Sequence, residues 1–383
     1  MNTPKIRFKE FNDEWKKEKF KQFSYYSGKR NKNNLNLIPY AITNINGFVP
    51  QTEAHNEFGY MKNTNRKAYN IVTPNSFAYN PARINVGSIG YYNGNKDIIV
   101  SSLYEVFKTT NYIDDKFLWF WLKSSKLPIW INKLQEGSVR QYFYYDKLCE
   151  TPLYFPSVNE QKKISKFLSL LDKKIELQSK KIEDLKLFKK GLHDKLFNEV
   201  TGNDYLLSDI AVFENGKGHE NIVDENGKYI LINSKFISTG GNVTKKCSEQ
   251  LTPLFKNDIT MVMSDLPNGK ALAKCYYIDE NNKYSLNQRI CKIKVKDAGT
   301  VNSKYLFYLL DRNPYYLRFD DGVNQTNLKK DDILSLNLVL PSIKDQERDS
   351  KTLTIIDNII EKENNKLSKL NLLKKGLMQS MFV

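Results

Sequence analysis

Residues 156–198 read PSVNEQKKISKFLSLLDKKIELQSKKIEDLKLFKKGLHDKLFN, and residues 341–383 read PSIKDQERDSKTLTIIDNIIEKENNKLSKLNLLKKGLMQSMFV. The second lies over the first without a gap, 185 positions on. Identities run from Pro156/Pro341 through Gln161/Gln346, Leu168/Leu353, Asp172/Asp357 and Glu176/Glu361 to Leu185/Leu370. They end in Lys189-Lys190-Gly191-Leu192 over Lys374-Lys375-Gly376-Leu377. Composition alone gives far fewer matches, so the chain is one plan written twice: a large segment followed by a helix. A repeated plan suits repeated binding.

Both repeated stretches read as helices. Ser157 and Ser342 follow a proline, and Glu160 and Asp345 three residues on complete a capping-box pattern. A heptad follows. In the first copy the a positions are Leu168, Ile175, Ile182, Lys189 and Leu196, and the d positions Leu171, Gln178, Leu185 and Leu192. In the second, a is Leu353, Ile360, Leu367, Lys374 and Met381, and d is Ile356, Glu363, Leu370 and Leu377. A parallel, in-register pair would set Lys189 against Lys374. An antiparallel pair can set Lys189 against Glu363 and Gln178 against Lys374, with a facing d throughout, and one polar pair can define a register. The pattern therefore predicts an intramolecular antiparallel coiled coil in that register. The alternative is that each helix packs on its own globular segment. A helix of about 39 residues spans roughly 58 Å, so the expected molecule is a pseudo-two-fold one with a globular segment at either end of a rod. Such a molecule can grip two DNA half-sites about one helical turn apart.

The predicted domains are 1–155, 156–200 (central helix), 201–340 and 341–383 (C-terminal helix). The two globular segments match in their parts. The first has strand-like runs at 76–79, 90–92, 97–100 and 104–107, and a helix at 114–123 that Asp114 can cap. The second has runs at 229–232, 259–263, 275–278 and 289–295 and a helix at 303–310, with Lys116-Phe117-Leu118 over Lys304-Tyr305-Leu306. Each closes with a glycine-led turn, a polar stretch, a strand and Pro-Ser. The fold class is α/β, in two copies.

Charge indicates the partner. The chain has 383 residues and a net charge of +16, which favours a polyanion, most often nucleic acid. The excess is +9 over residues 1–155 but only +1 over 201–340, so the first half should lean harder on phosphates. Cys149, Cys247, Cys275 and Cys291 form no CxxC pair; neither a zinc site nor a disulfide framework is expected. The charged N-terminus does not resemble a signal peptide and no stretch is long enough to span a bilayer, so no membrane partner and a cytoplasmic location are expected.

At full length the chain resembles the specificity subunits of type I restriction-modification systems. The resemblance is carried by PKIRFKEFNDEW (residues 4–15), by the PSVNEQ…LFKKGL stretch and by its echo PSIKDQ…LLKKGL. It implies that the two segments are target recognition domains, each reading half of a bipartite, asymmetric duplex DNA target. It also implies assembly with two modification subunits that use S-adenosylmethionine to methylate adenine, and with restriction subunits that use ATP and Mg. No cofactor or metal is expected on this chain, and no catalysis. Tyr79-Asn80-Pro81-Ala82 and Asn313-Pro314-Tyr315-Tyr316 each lack the second proline of an adenine methyltransferase's base-holding segment. Gly87, Gly90 and Gly94 are ordinary turn glycines, and there is no P-loop. The rival readings are a protein-binding coiled-coil adaptor and an autonomous methyltransferase; salt-sensitive duplex binding would separate the first from a DNA reader.

Base edges are read by Arg, Lys, Asn and Gln, and phosphates are held by Lys and Arg. The matched turns Gly137-x-x-Arg140-x-x-Phe143 and Gly322-x-x-Gln325-x-x-Leu328 place different readers, Arg140 and Gln325, on one scaffold; a merely solvated turn is the alternative. Lys29, Arg30 and Lys217 form a second matched set. Arg66, Lys67, Arg83 and Tyr142 join the first half, and Lys245, Lys270 and Arg289 the second. Leu170/Ile355, Leu187/Leu372 and Phe188/Leu373 recur outside the seam, as docking points for two identical subunits or as packing against the chain's own domains. Arg140→Ala is expected to change the base preference of the first half-site, read from the sequence context of methylated adenines.

Overall fold

The computed structural model describes residues 3–44, 46–54, 66–134 and 142–383. It divides into two compact units. Unit 1 comprises Met1–Lys180 with Asn364–Val383, and unit 2 comprises Lys181–Glu363.

Unit 1 is built on a four-stranded antiparallel sheet in the order Ser24–Tyr26, Glu105–Thr109, Ser76–Tyr79, Ile89–Tyr92. A five-stranded mixed sheet runs Lys29–Arg30, Asn70–Val72, Ile98–Val100, Pro39–Thr43, Gly47–Pro50. Its one parallel pairing joins Pro39–Thr43 to Ile98–Val100. A two-stranded ribbon pairs Lys16–Lys19 with Pro152–Phe155. Unit 2 repeats the first sheet as Ala211–Asn215, Ile290–Val295, Ile259–Val262, Cys275–Tyr277. Its second sheet orders Lys246–Cys247, Tyr229–Ile232, Tyr284–Leu286, again with one parallel pair, and its ribbon joins Asn203–Leu206 to Asn337–Leu340. The fold is thus α/β in two copies, as the sequence repeat requires.

A short helix covers the first sheet of each unit, Asp115–Lys123 in one and Ser303–Leu310 in the other. Each starts at a capping side chain: Asp114 accepts from the Phe117 amide at 2.9 Å and Asn302 from the Tyr305 amide at 2.9 Å. Each buries an apolar face, including Phe117, Leu118 and Trp121 in unit 1 and Tyr305, Leu306 and Leu310 in unit 2.

The central helix is Val158–Asn198 and the C-terminal helix Ile343–Ser380. Gln161, near the start of the first, is fully buried in unit 1. Its Oε1 accepts from the Asp114 amide at 2.7 Å, and its Nε2 donates to the carbonyls of Pro156 (2.9 Å) and Tyr112 (3.2 Å). Gln346 does the same in unit 2, with the Asn302 amide at 2.9 Å and the Pro341 and Thr300 carbonyls at 2.9 and 3.1 Å. In each unit the glutamine of the repeat locks a long helix to the capped end of the short one.

The far ends of the long helices finish the cores. Phe382 packs on Phe117 in unit 1, with ring centroids 5.3 Å apart, alongside buried Met378 and Met381. Phe197 packs on Tyr305 in unit 2 at 5.0 Å. Unit 1 thus combines the start of the central helix with the end of the C-terminal one, and unit 2 the reverse. The alternative that each helix packs only on its own preceding segment is excluded.

The helices run antiparallel within each unit. In unit 2, Lys181 bonds Glu363 at 2.7 Å and Lys189 bonds Asp357 at 2.6 Å; in unit 1, Lys374 bonds Asp172 at 2.5 Å. The expected direction holds, but the expected register does not: Lys189 pairs with Asp357, six residues before Glu363. A heptad pairs seam residues only with seam residues. The long lysine stem instead leaves the seam and reaches the flanking carboxylate that follows a d position, Asp172 or Asp357, present in both copies. Glu363 is taken by Lys181. The periodicity itself survives the shift. Leu168, Leu171, Ile182, Leu353 and Ile356 are buried, and Ile175, Leu185, Lys189, Leu192, Ile360, Glu363, Leu367, Leu370 and Leu377 are half-buried.

One expected cap is also replaced. Both Glu160 carboxylate oxygens receive the Arg7 guanidinium, at 2.7 and 2.8 Å, rather than serving a capping box. In the second copy Asp345 meets Ser342: the Ser342 hydroxyl donates to the carboxylate at 2.6 Å and accepts from the Asp345 amide at 3.3 Å.

Phe382→Ala should destabilise unit 1 by about 3–5 kcal/mol. Hydrogen exchange should then show residues 117–122 losing protection while 305–310 keep theirs. Gln346→Ala should act in the opposite unit, at a cost on the order of 1–3 kcal/mol for each buried partner left unpaired.

Candidate nucleic-acid interface

The basic residues of unit 1 fall into two groups. Lys29 and Arg30 form a short strand that pairs with Asn70–Val72, with Arg30 opposite Asn70. The 3-10 turn Arg66–Ala68 leads into that partner strand, and Arg30 donates to the Ala68 carbonyl at 2.6 Å. Strand pairing therefore gathers Lys29, Arg30, Arg66 and Lys67 from two distant stretches. The second group surrounds Pro81. The Phe143 amide donates to the Pro81 carbonyl at 3.0 Å, which brings Tyr142 beside the turn carrying exposed Arg83. The Tyr142 ring stacks on Tyr144 at 5.5 Å and 8°. Gly137 and Arg140 lie outside the described residues.

Unit 2 repeats the second group. The Leu328 amide donates to the Met263 carbonyl at 2.8 Å, the counterpart of the Phe143–Pro81 bond. Phe143 and Leu328 are both buried, so the apolar residue of each matched turn is a core anchor. Gly322 takes a left-handed φ of +71°, which explains the glycine there. The following ribbon, Thr326–Asn327 against Ser264–Asp265, carries Gln325 to Ser264, whose hydroxyl accepts from Gln325 Nε2 at 2.7 Å. Arg289 is on the adjoining turn, its carbonyl accepting from the Met263 amide at 3.0 Å. Lys217 is bridged to Asn287 on the same turn. Buried His219 fixes the Lys217 backbone through its carbonyl at 2.7 Å and bonds the Ser285 hydroxyl at 2.7 Å with its other ring nitrogen. Lys270 is exposed on the loop after Asp265. Lys245 stands apart, on the outer side of Tyr229–Ile232, where its carbonyl accepts from the Leu231 amide.

The loops are stiffened from within. Asp265 accepts from the amides of Leu266, Ala271 and Leu272. Asp321 accepts from the amides of Val323 and Asn324 and the Asn324 side chain, which hold its carboxyl down at about 2. Asn268 then ties one loop to the other through the Gly322 carbonyl at 3.2 Å. Sequence reading missed Asn268, Ser264 and His219, which act by positioning their neighbours and carry no signal of their own.

The six apolar residues outside the seam are largely open to solvent. Leu170, Leu187, Phe188, Ile355, Leu372 and Leu373 are 50–70% exposed. Leu170, Leu372 and Leu373 are each within two positions of the Asp172–Lys374 pair in unit 1. Ile355, Leu187 and Phe188 stand in the same relation to Asp357–Lys189 in unit 2.

Among the described residues no three His, Cys, Asp or Glu side chains cluster as metal ligands do, and no helix is long and apolar enough to cross a membrane. The four cysteines are free thiols, and burial pushes Cys291 up to about 12.

Comparison with known proteins gives these features a context. The family model described as the type I restriction modification DNA specificity domain matches residues 4–187 and again 202–372. The chain belongs to the type I restriction-modification DNA specificity family. Two Methanocaldococcus jannaschii relatives illustrate the kinship of this specificity-family chain. It is 24% identical over 350 residues to the type I restriction enzyme MjaVIII specificity subunit, covering 83% of this chain and 80% of the relative. It is 22% identical over 408 residues to the putative MjaX specificity subunit, covering 98% and 95%. The fold matches the type I restriction-modification S subunit of M. genitalium, with a TM-score of 0.61 at 16% identity over 100% of this chain and 99% of the other. It also matches a chain from a structural study of complex assembly and conformational transition in a type I system (TM-score 0.58, 12% identity, 95% and 96% covered).

The gathered Lys29 and Arg66 side chains serve as a test of phosphate contact. The double alanine variant should reduce the slope of log affinity against log salt by about two, uniformly across duplex sequences. Fluorescence anisotropy of the assembled complex over a salt series measures it.

Proposed function

We propose that this chain is the DNA-reading, non-catalytic subunit of a type I restriction-modification assembly. Each unit reads one half of a bipartite, asymmetric duplex target, and the chain positions partners that do the chemistry. The observation that carries this reading is the double family match, one to each half of a chain whose two units share a topology but differ in their reading turns. A purely protein-binding adaptor has no need of two such matches.

The partners are two modification subunits, with restriction subunits added to that core. S-adenosylmethionine, ATP and Mg belong to those partners. This chain carries neither the base-holding segment of an adenine methyltransferase nor a P-loop. Two equivalent exposed trios, Leu170 with Leu372 and Leu373, and Ile355 with Leu187 and Phe188, suit two copies of one partner. Duplex phosphates are held by the basic groups of unit 1 and by Lys217, Lys245 and Lys270 of unit 2, where the smaller charge excess leaves more to base contacts.

The decisive experiment maps methylated adenines in a genome carrying the chain and in one without it. The expected result is a bipartite motif present only with the chain; identical methylomes would refute the proposal. Replacing Leu187 and Leu372 together with Asp should abolish co-purification with the modification subunits while the unfolding transition of the chain stays in place.

A further inference from the structure

Backbone strain singles out one arginine. Among the described residues eight non-glycine positions have positive φ, and five of them are asparagines, which tolerate that region. Ala273, Arg289 and Arg312 are the others. Arg312 has a structural reason to be there: its guanidinium donates to the Leu272 carbonyl at 3.0 Å and the Gly269 carbonyl at 3.4 Å. Arg289, at φ +67°, is exposed, and among the described residues its guanidinium meets no partner. Glycine would hold this turn at lower cost. A strained position kept by a long, unpartnered cation points to work done by the side chain.

Its neighbourhood shows what that work is. The Arg289 carbonyl is bonded to the Met263 amide, and the next residue, Ser264, holds Gln325. Gln325 Nε2 donates to Ser264 Oγ at 2.7 Å and Asn327 Oδ1 at 3.4 Å. Both amide hydrogens are therefore engaged, and Oε1 is left as an acceptor with no partner among the described residues. Among the described residues, carboxylates on the neighbouring loops have partners of their own. Asp265 is occupied by three backbone amides, Asp321 by its own loop, and Glu220 by Gln288. Exposed Leu266 and Val323 stand on the two loops that Asn268 links. A fork of donors, a fixed acceptor and apolar tips on one stiff surface match the edge pattern of the DNA major groove.

We propose that Arg289 and Gln325 are the base-reading side chains of unit 2, Arg289 taking the O6 and N7 acceptors of a guanine and Gln325 Oε1 taking the exocyclic amino group of an adenine or cytosine. This rests on the DNA-reading function proposed above. Lys217, bridged to Asn287 on the Arg289 turn, and exposed Lys270 hold the flanking phosphates.

The test uses the complex assembled with its modification subunits, acting on a randomised duplex library, with methylated adenines read by sequencing. Arg289→Gly is the informative variant because it relieves the strained backbone while removing the fork. It should lose discrimination roughly 5- to 150-fold at a guanine position in one half-site, with the other half-site unchanged. Gln325→Ala should relax a different position of the same half-site. Arg289→Lys keeps the charge but not the fork, so it should also lose discrimination if Arg289 reads a base and behave as wild type if Arg289 only holds a phosphate. An unchanged motif in Arg289→Gly, or a uniform loss of methylation at every sequence, would overturn the assignment. A wild-type complex that yields no bipartite motif would instead overturn the function on which it rests.

Discussion

Each unit depends on a buried glutamine that cannot be satisfied except in one place. Gln161 and Gln346 spend their donors and acceptor on the backbone at the start of a short helix and on the proline before a long one. An amide side chain buried without partners is costly, so the geometry is close to all-or-none. That single constraint fixes the start of each long helix against the short helix of its own unit. Everything carried by the helix, including the seam, the ion pairs and the exposed apolar trios, inherits its direction from this bond set.

The helix pair adds a second level of order. A heptad of mostly Leu and Ile tolerates several registers, because any a can meet any d at similar cost. The chain selects one with charges that flank the seam: Lys189 with Asp357 in unit 2 and Lys374 with Asp172 in unit 1. The two are not equivalent in detail. In unit 2 the Tyr308 hydroxyl also donates to Asp357 at 2.8 Å, and the Lys189 ammonium lies 5.2 Å from the Tyr308 ring centroid. These partly exposed pairs contribute little stability by themselves; their effect is to make slipped registers worse.

The repeat made the architecture legible. Strands Ser76–Tyr79 and Tyr229–Ile232 and the helices Asp115–Lys123 and Ser303–Leu310 appear where alternation and helical spacing place them, with Asp114 as the cap of the first helix. The misreadings share a cause. Heptad spacing ranks seam residues only and so points Lys189 to Glu363, whereas its partner is the flanking Asp357. The spacing makes Glu160 a local cap, but it is claimed by Arg7, 153 residues away in the chain. The basic site was only half legible: residue type nominated Arg66 and Arg30, but only the pairing of Lys29–Arg30 with Asn70–Val72 brings them together. Strain at Arg289 leaves no trace in the sequence, since an arginine after Asn-Gln looks like any other turn residue.

The core of unit 1 has a consequence for how the protein is made. Met378, Met381 and Phe382 fill a cavity lined by residues such as Trp15 and Phe117, and the Ile6 amide bonds the Ser380 carbonyl at 3.0 Å. The half of the molecule that leaves the ribosome first is therefore the half completed last. Until translation delivers its closing residues, nascent unit 1 exposes an unfilled apolar hollow, while unit 2, contiguous from Lys181 to Glu363, can already have folded. Such long-range closure is slow and prone to mispairing.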